Sequence, residues 1–499
     1  MVRSVSVRHT AAGLLASALA IVLGTEAAGA AIHVDARGVG QALLFPYYTV
    51  NEGQQTYLTV SNTSDRAKML ELQFMEGYNS RPVFNVRLFL APHDVWTGTV
   101  FALDDIAGEG GEGAALLTSD RSCTAPDIWT EGHGMLNGSP YVRFYAGMYA
   151  GDGGPQSTSR TREGHVQIVE LADLTGSLAS GVTHREGVPL ACERVRNLLA
   201  PTAETVPSTG GLFASGAVIN VGQGTYFPYR ATALAGFPEQ IRFNGLDTLI
   251  DPLTLTYDYQ TDRSEAQVYV DGAIVDVTYE GGLPYQAIDA VSAVLMADAL
   301  QNEYLLDPAI GANSDWVVTF PTKQYYTNAL FFPGRPEALP PFVELFGEGG
   351  SCVRTHVRYL DRESQTVADS GFPGAPPIPT RPSLCYSTNV LSFLGATNVE
   401  PSPVLGSRLI ATGFALNPAF KTGWAWLDFD DPDTERHAMR ASMATDTGAG
   451  KVFHGLPAIG FWATNLVNNN VADGVMSNYS GTAPHVPKVT CTIGDAGCD

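Results

Sequence analysis

The chain has 499 residues, 51 acidic against 29 basic, and a formal net charge of -22. Charged residues make up 16% and hydrophobic residues 44%, so the chain carries enough apolar surface to fold rather than stay disordered. The acid excess disfavours nucleic acid, whose phosphates need a basic face, and the length suggests two to four domains.

Residues 1–30 read as a secretory signal. Arg3 and Arg8 precede an apolar run from Ala11 to Leu23, and Ala28-Gly29-Ala30 supplies small residues for cleavage before Ala31. The run is shorter than the ~20 residues that span a bilayer, and no later stretch reaches that length.

Strand signals follow. Leu70, Leu72 and Phe74 alternate with Glu71 and Gln73, and Phe84, Val86, Leu88 and Leu90 repeat the period. Such alternation marks antiparallel sheet with one face buried. Turn clusters at Asn62–Asp65 and Glu76–Asn79 separate these strands. Further strands are predicted at Tyr141–Ala146, His165–Leu171, Val218–Val221, Ala266–Val270, Trp316–Phe320, Gly423–Phe429 and Ala458–Ala463. The pattern predicts a mainly β protein of two immunoglobulin-like or related antiparallel β-sandwich lobes. We place the first at residues 31–215 and the second at 216–499.

Gly108-Glu109-Gly110-Gly111-Glu112-Gly113 fits a dinucleotide-binding fingerprint in letters only. Its two glutamates would repel pyrophosphate, and no βαβ unit surrounds it, so we read an acidic loop. Val39-Gly40-Gln41 with Phe45-Pro46-Tyr47 recurs as Val221-Gly222-Gln223 with Phe227-Pro228-Tyr229 at the same internal spacing. Domain duplication and chance both remain open for this echo.

Gln286–Leu306 is rich in Ala, Leu and Val and lacks Gly and Pro; it predicts one long helix inserted in the second lobe. The stretch Phe243–Thr322 holds thirteen acids and only Arg263 as a base. That field suits cations or a basic protein partner, or serves solubility alone. Phe372–Pro382 carries five prolines and reads as an extended loop within a domain.

Six cysteines in an exported chain favour disulfides over metal or catalytic thiols. Nearest-neighbour pairing gives Cys123–Cys192, Cys352–Cys385 and Cys491–Cys498. Trp424 and Trp426 share one strand face, which fits either core packing or a stacking surface for glycans. They lead into Asp428, Asp430, Asp431, Asp433 and Glu435. Hard oxygen ligands in a loop at a strand end make this a candidate calcium site, although the EF-hand pattern is missing; the alternative is a solvated acidic turn. No G-x-S-x-G elbow and no H-E-x-x-H motif occurs, and no two mature histidines lie within five residues of each other.

Several runs resemble a family of exported proteobacterial proteins without an assigned function. They include Leu90-Ala91-Pro92-His93-Asp94-Val95-Trp96, Asp120-Arg121-Ser122-Cys123-Thr124 and Thr319-Phe320-Pro321-Thr322-Lys323. The resemblance implies a bacterial cell-envelope setting and transfers no catalytic residue. Taken together, the expectation is an exported, disulfide-stabilised, non-enzymatic protein with a structural, adhesive or binding role in periplasm, surface or medium. The rival is a carbohydrate-binding or carbohydrate-cleaving protein using acidic side chains, or a calcium-binding accessory module.

Overall fold

The computed structural model describes residues 31–499 except 107–109, 243–252, 254–262, 281–287, 330–336, 367–379, 432, 434, 444–449, 469–471, 473–474, 476 and 499. The predicted signal segment, much of the Pro-rich loop and part of the Gly108–Gly113 loop therefore lie outside the described residues.

Alternation decides the first lobe. Leu70, Leu72 and Phe74 point into one core with Leu43, Phe45 and Tyr47, and they meet Leu58, Val60, Trp96 and Val100 from the opposite sheet. Two eight-stranded antiparallel sheets thus pack face to face as a β-sandwich. One sheet centres on Ala42–Thr49, Glu163–Leu174, Ala67–Glu76 and Pro82–Leu90. The other runs through Val95–Ala102, Gln55–Asn62, Leu212–Asn220 and Thr225–Arg230.

The boundary drawn at residue 215 falls inside the strand Leu212–Asn220, and three further segments of the first lobe follow it. Thr225–Arg230 closes the edge of the second sheet, Thr232–Ala235 joins the first, and Arg242 donates to the Leu171 carbonyl through its backbone N–H. The correction has a plain cause. Strand pairing is long-range, so a chain position carries no mark of which sheet it completes.

The second lobe is built from smaller antiparallel sheets. Its two four-stranded sheets run His356–Asp361, Thr422–Asp428, Ala299–Leu305, Val486–Lys488 and Thr388–Ser392, Ala312–Thr319, Ile459–Leu466, Tyr479–Pro484. They bury Tyr304, Trp316, Phe393 and Leu427 in one cluster. That cluster also takes Ala42 and Leu44, the opposite-facing residues of the strand that sends Leu43 and Phe45 into the sandwich. The two lobes therefore share a strand-thick wall. Thr319 reinforces it, its hydroxyl donating to the Pro46 carbonyl at 2.6 Å.

The long helix expected over Gln286–Leu306 is not there. Among the described residues of that stretch only Ile288–Ala293 is helical, and Ala299–Leu305 is a strand. Leu300, Asn302 and Tyr304 are buried while Glu303 is exposed, a period of two inside a helix-favouring composition. Pairing with Thr422–Asp428 on one side and Val486–Lys488 on the other outweighs the weak intrinsic preference of Ala and Leu.

Cysteines pair as nearest neighbours: Cys123–Cys192, Cys352–Cys385 and Cys491–Cys498. The first ties an edge strand of the sandwich to the loop before helix Glu193–Arg196. The second is braced by Lys323 of the Thr-Phe-Pro-Thr-Lys run, whose buried Nζ donates to the carbonyls of Ser351 and Tyr386, one neighbour of each cysteine. Burial among Phe320 and Phe342 lowers the Lys323 amine to about 7.

Candidate functional site: a cleft between the lobes

The strands Thr225–Arg230 and Tyr479–Pro484 are the outer edges of two different sheets, and they lie side by side. No backbone ladder joins them. Side chains do the joining: the Ser480 hydroxyl accepts from the Tyr226 N–H and donates to the Tyr226 carbonyl, both at 2.8 Å. Thr482 donates to the Pro228 carbonyl, and the Asn478 amide donates to the Gln223 carbonyl at 2.8 Å. Pro228 fits this edge because its missing N–H is not needed for a ladder.

Beside this seam opens a cleft of about 720 Å³. Phe213, Pro46, Tyr229 and Phe461 supply apolar wall, and Ser215, Thr232 and Thr482 supply hydroxyls. Arg230 is the only charged residue in the lining among the described residues. It is exposed, its guanidinium carbon lies 5.8 Å from the Phe213 ring, and it forms no ion pair among the described residues. The two echoed Phe-Pro-Tyr segments meet here. Pro46 and Pro228 both line the cleft, and Tyr47 and Tyr229 both pack on Phe461, the latter stacked at 4.9 Å.

A buried carboxylate fastens the lobes behind the cleft. Glu163 accepts from the Tyr47 hydroxyl at 2.7 Å, the Asn51 amide at 3.1 Å, the Arg408 N–H at 3.0 Å and the Ser407 hydroxyl. Burial pushes this carboxyl up to about 7, while its donors pull the other way.

The sequence-predicted acidic site takes another form. Asp428 is held by Arg358, Asp430 by Arg436 and His454, Asp431 by His356, and Glu435 by Arg354. Asp433 is exposed, its N–H donating to Asp431. Four of the five carboxylates diverge into separate pairs, and among the described residues no group of three or more His, Cys, Asp or Glu could hold a metal ion. Basic side chains and histidines of the chain itself stand opposite each carboxylate but Asp433. Trp424 and Trp426 are half-buried with ring centroids 6.5 Å apart, and Arg358 covers Trp426. They stand away from the cleft lining.

Some acids of the acid-rich stretch are likewise paired where it is described. Asp289 pairs with Arg440, Asp298 with Lys488 and Asp307 with Lys421. Asp315 is buried and accepts from the Ser392 hydroxyl and the Val404 and Leu405 N–H groups. Asp247, Asp251, Asp258 and Asp262 lie outside the described residues.

One arrangement has a catalytic look. His454 places Nε2 2.9 Å from the Thr492 hydroxyl and Nδ1 3.2 Å from Asp430. The hydroxyl sits in the strand Thr490–Ile493, paired on both sides. No strained turn raises it, so it lacks the exposed nucleophile and oxyanion donors that acyl transfer needs.

Reasoning from sequence missed Arg230, Phe213, Phe461 and Thr482 as site residues. The Phe-Pro-Tyr echo was the one signal that pointed at the cleft. No protein-family model, no curated protein and no solved structure matches the chain.

Proposed function

We propose that the chain is an exported, disulfide-stabilised binding protein of the cell envelope or exterior, whose ligand enters the interlobe cleft. One observation carries this reading: two sheet edges held apart from backbone pairing leave an aromatic-walled, almost uncharged cleft that both lobes build. The three disulfides and the resemblance to exported proteobacterial proteins support the setting. A glycosidase needs two carboxyl groups across its cleft, and the lining holds none. Binding rather than bond cleavage is therefore the role the cleft chemistry supports.

The test is thermal melting with neutral sugars, uronic acids, fatty acids and peptides. A ligand of the cleft raises the melting temperature of the wild type. It leaves Thr232→Trp, which fills the cleft, unchanged. Equal stabilisation of both proteins would put the site elsewhere, and no stabilisation by any class would sink the reading.

A further inference from the structure

We propose that the cleft continues onto the outer face of the second sheet, and that the pair holds an extended, uncharged glycan. The proposal rests on the reading of the cleft as the binding site and names its ligand.

Four neighbouring strands form this face: Val95–Ala102, Gln55–Asn62, Leu212–Asn220 and Thr225–Arg230. Their register lines the outward residues in rows. Thr97, Thr59, Ser215 and Arg230 make one row; Thr99, Tyr57, Ala217 and Pro228 make the next. With ~4.8 Å between strands, a row spans roughly 14 Å. Ser215, Pro228 and Arg230 belong to both the face and the cleft, so the two surfaces are continuous. Arg230 is the only charge among the outward residues of these four strands, in a chain of net charge -22.

That composition selects among ligands. A polyanion would meet the negative field of the chain with one cation to hold it. A polycation would find no carboxylate here. A hydrocarbon tail needs enclosure to leave water, and this face is open. A neutral polysaccharide presents hydroxyls at its edges and C–H surfaces on its rings. The face offers matching partners: hydroxyls at Thr97 and at the mutually bonded pair Thr59 and Ser215, 3.0 Å apart, ring surfaces at Tyr57 and Phe213, and guanidinium donors at Arg230. The Tyr57 hydroxyl has no protein hydrogen-bond partner among the described residues. Exposed Tyr226, at 54%, extends the ring surface along the seam.

Affinity electrophoresis tests this with the whole mature protein. The probes are β-glucan, xylan and mannan, with polygalacturonate as the acidic comparison. Retardation by at least one neutral polymer is expected. It should be the same at about 20 mM and about 500 mM salt, because no charge pair is involved. Tyr57→Ala, Thr97→Lys and Phe213→Ala should each weaken it roughly tenfold while melting as the wild type does. Loss in Phe213→Ala alone would overturn the sheet platform and leave the cleft reading standing. Salt-sensitive retardation by polygalacturonate only would overturn the neutral-glycan assignment. Neutral retardation that survives all three variants would overturn both readings, and no retardation by any polymer would overturn the proposal.

Discussion

Tyr229 donates its phenolic hydroxyl to the main-chain carbonyl of Tyr47, and both rings pack against Phe461. These tyrosines close the two copies of the Phe-Pro-Tyr echo, which lie 182 residues apart in the chain and touch in the fold. One copy sits in each sheet of the sandwich, so the hydrogen bond crosses from sheet to sheet at the mouth of the cleft.

Removing that hydroxyl leaves a buried carbonyl unpaired. Tyr229→Phe should therefore cost about 1–2 kcal/mol, while Tyr229→Ala, which also loses the stack on Phe461, should cost ~3–5 kcal/mol. Urea unfolding of the two variants checks the ordering. Equal losses would show that the stack on Phe461 contributes nothing beyond the hydrogen bond.

Glu163 gives a pH signature. Burial raises its carboxyl from 4.5 to about 7 in the folded chain. Between those values the folded state holds the proton and the unfolded state has lost it. Folding stability thus falls as pH rises through that window. Glu163→Gln removes this contribution, so the stability difference between wild type and variant should change between pH 4.5 and 7 and stay flat above pH 8. A difference that is constant across the range would show that the carboxyl ionises in the folded state as it does in the unfolded one.

Lys68 is fully buried, with Nζ 2.8 Å from Glu170 and 2.7 Å from Asp173. Lys68→Met would leave Glu170 without a cation inside the sandwich and Asp173 with Arg66 alone, 3.5 Å away. The expected loss is about 3–5 kcal/mol. The triple change Lys68→Met, Glu170→Gln, Asp173→Asn should recover a large part of it. Failure to recover any would mean that the cation acts by packing rather than by charge.

The disulfides should rank by the loops they close. Sequence separations of 69, 33 and 7 correspond to about 4.4, 3.7 and 2.4 kcal/mol in the chain-entropy model. Paired Cys→Ser changes at Cys123–Cys192, Cys352–Cys385 and Cys491–Cys498 test the order by denaturant midpoint.

The β character was legible because alternation is a local signal, readable wherever one strand face is wet. Leu70–Phe74 and Phe84–Leu90 show it cleanly, and the cysteine pairs match the nearest-neighbour choice among fifteen possible pairings. Ala299–Leu305 was misread because composition speaks for intrinsic preference, whereas its strand state comes from two partners more than 100 residues away in sequence. The pairings of the acidic cluster were illegible for a similar reason. Arg358 and His356, which bond to Asp428 and Asp431, arrive from another strand. The cleft needed three distant segments, around Pro46, Pro228 and Phe461, and no local pattern marks such a meeting.

The hydroxyl-made seam between Thr225–Arg230 and Tyr479–Pro484 has a further consequence. Each strand is the open rim of its own sheet, with main-chain groups that another chain could template on. Ser480 and Thr482 occupy such groups on Thr225–Arg230, and Asn478 bonds Gln223 just before it, without fusing the two sheets into one. Each lobe is thus the other's guard against polymerisation. Prying them apart would bare two sticky rims at once, so self-association, rather than a quiet hinge motion, is the fate of a molecule whose lobes separate.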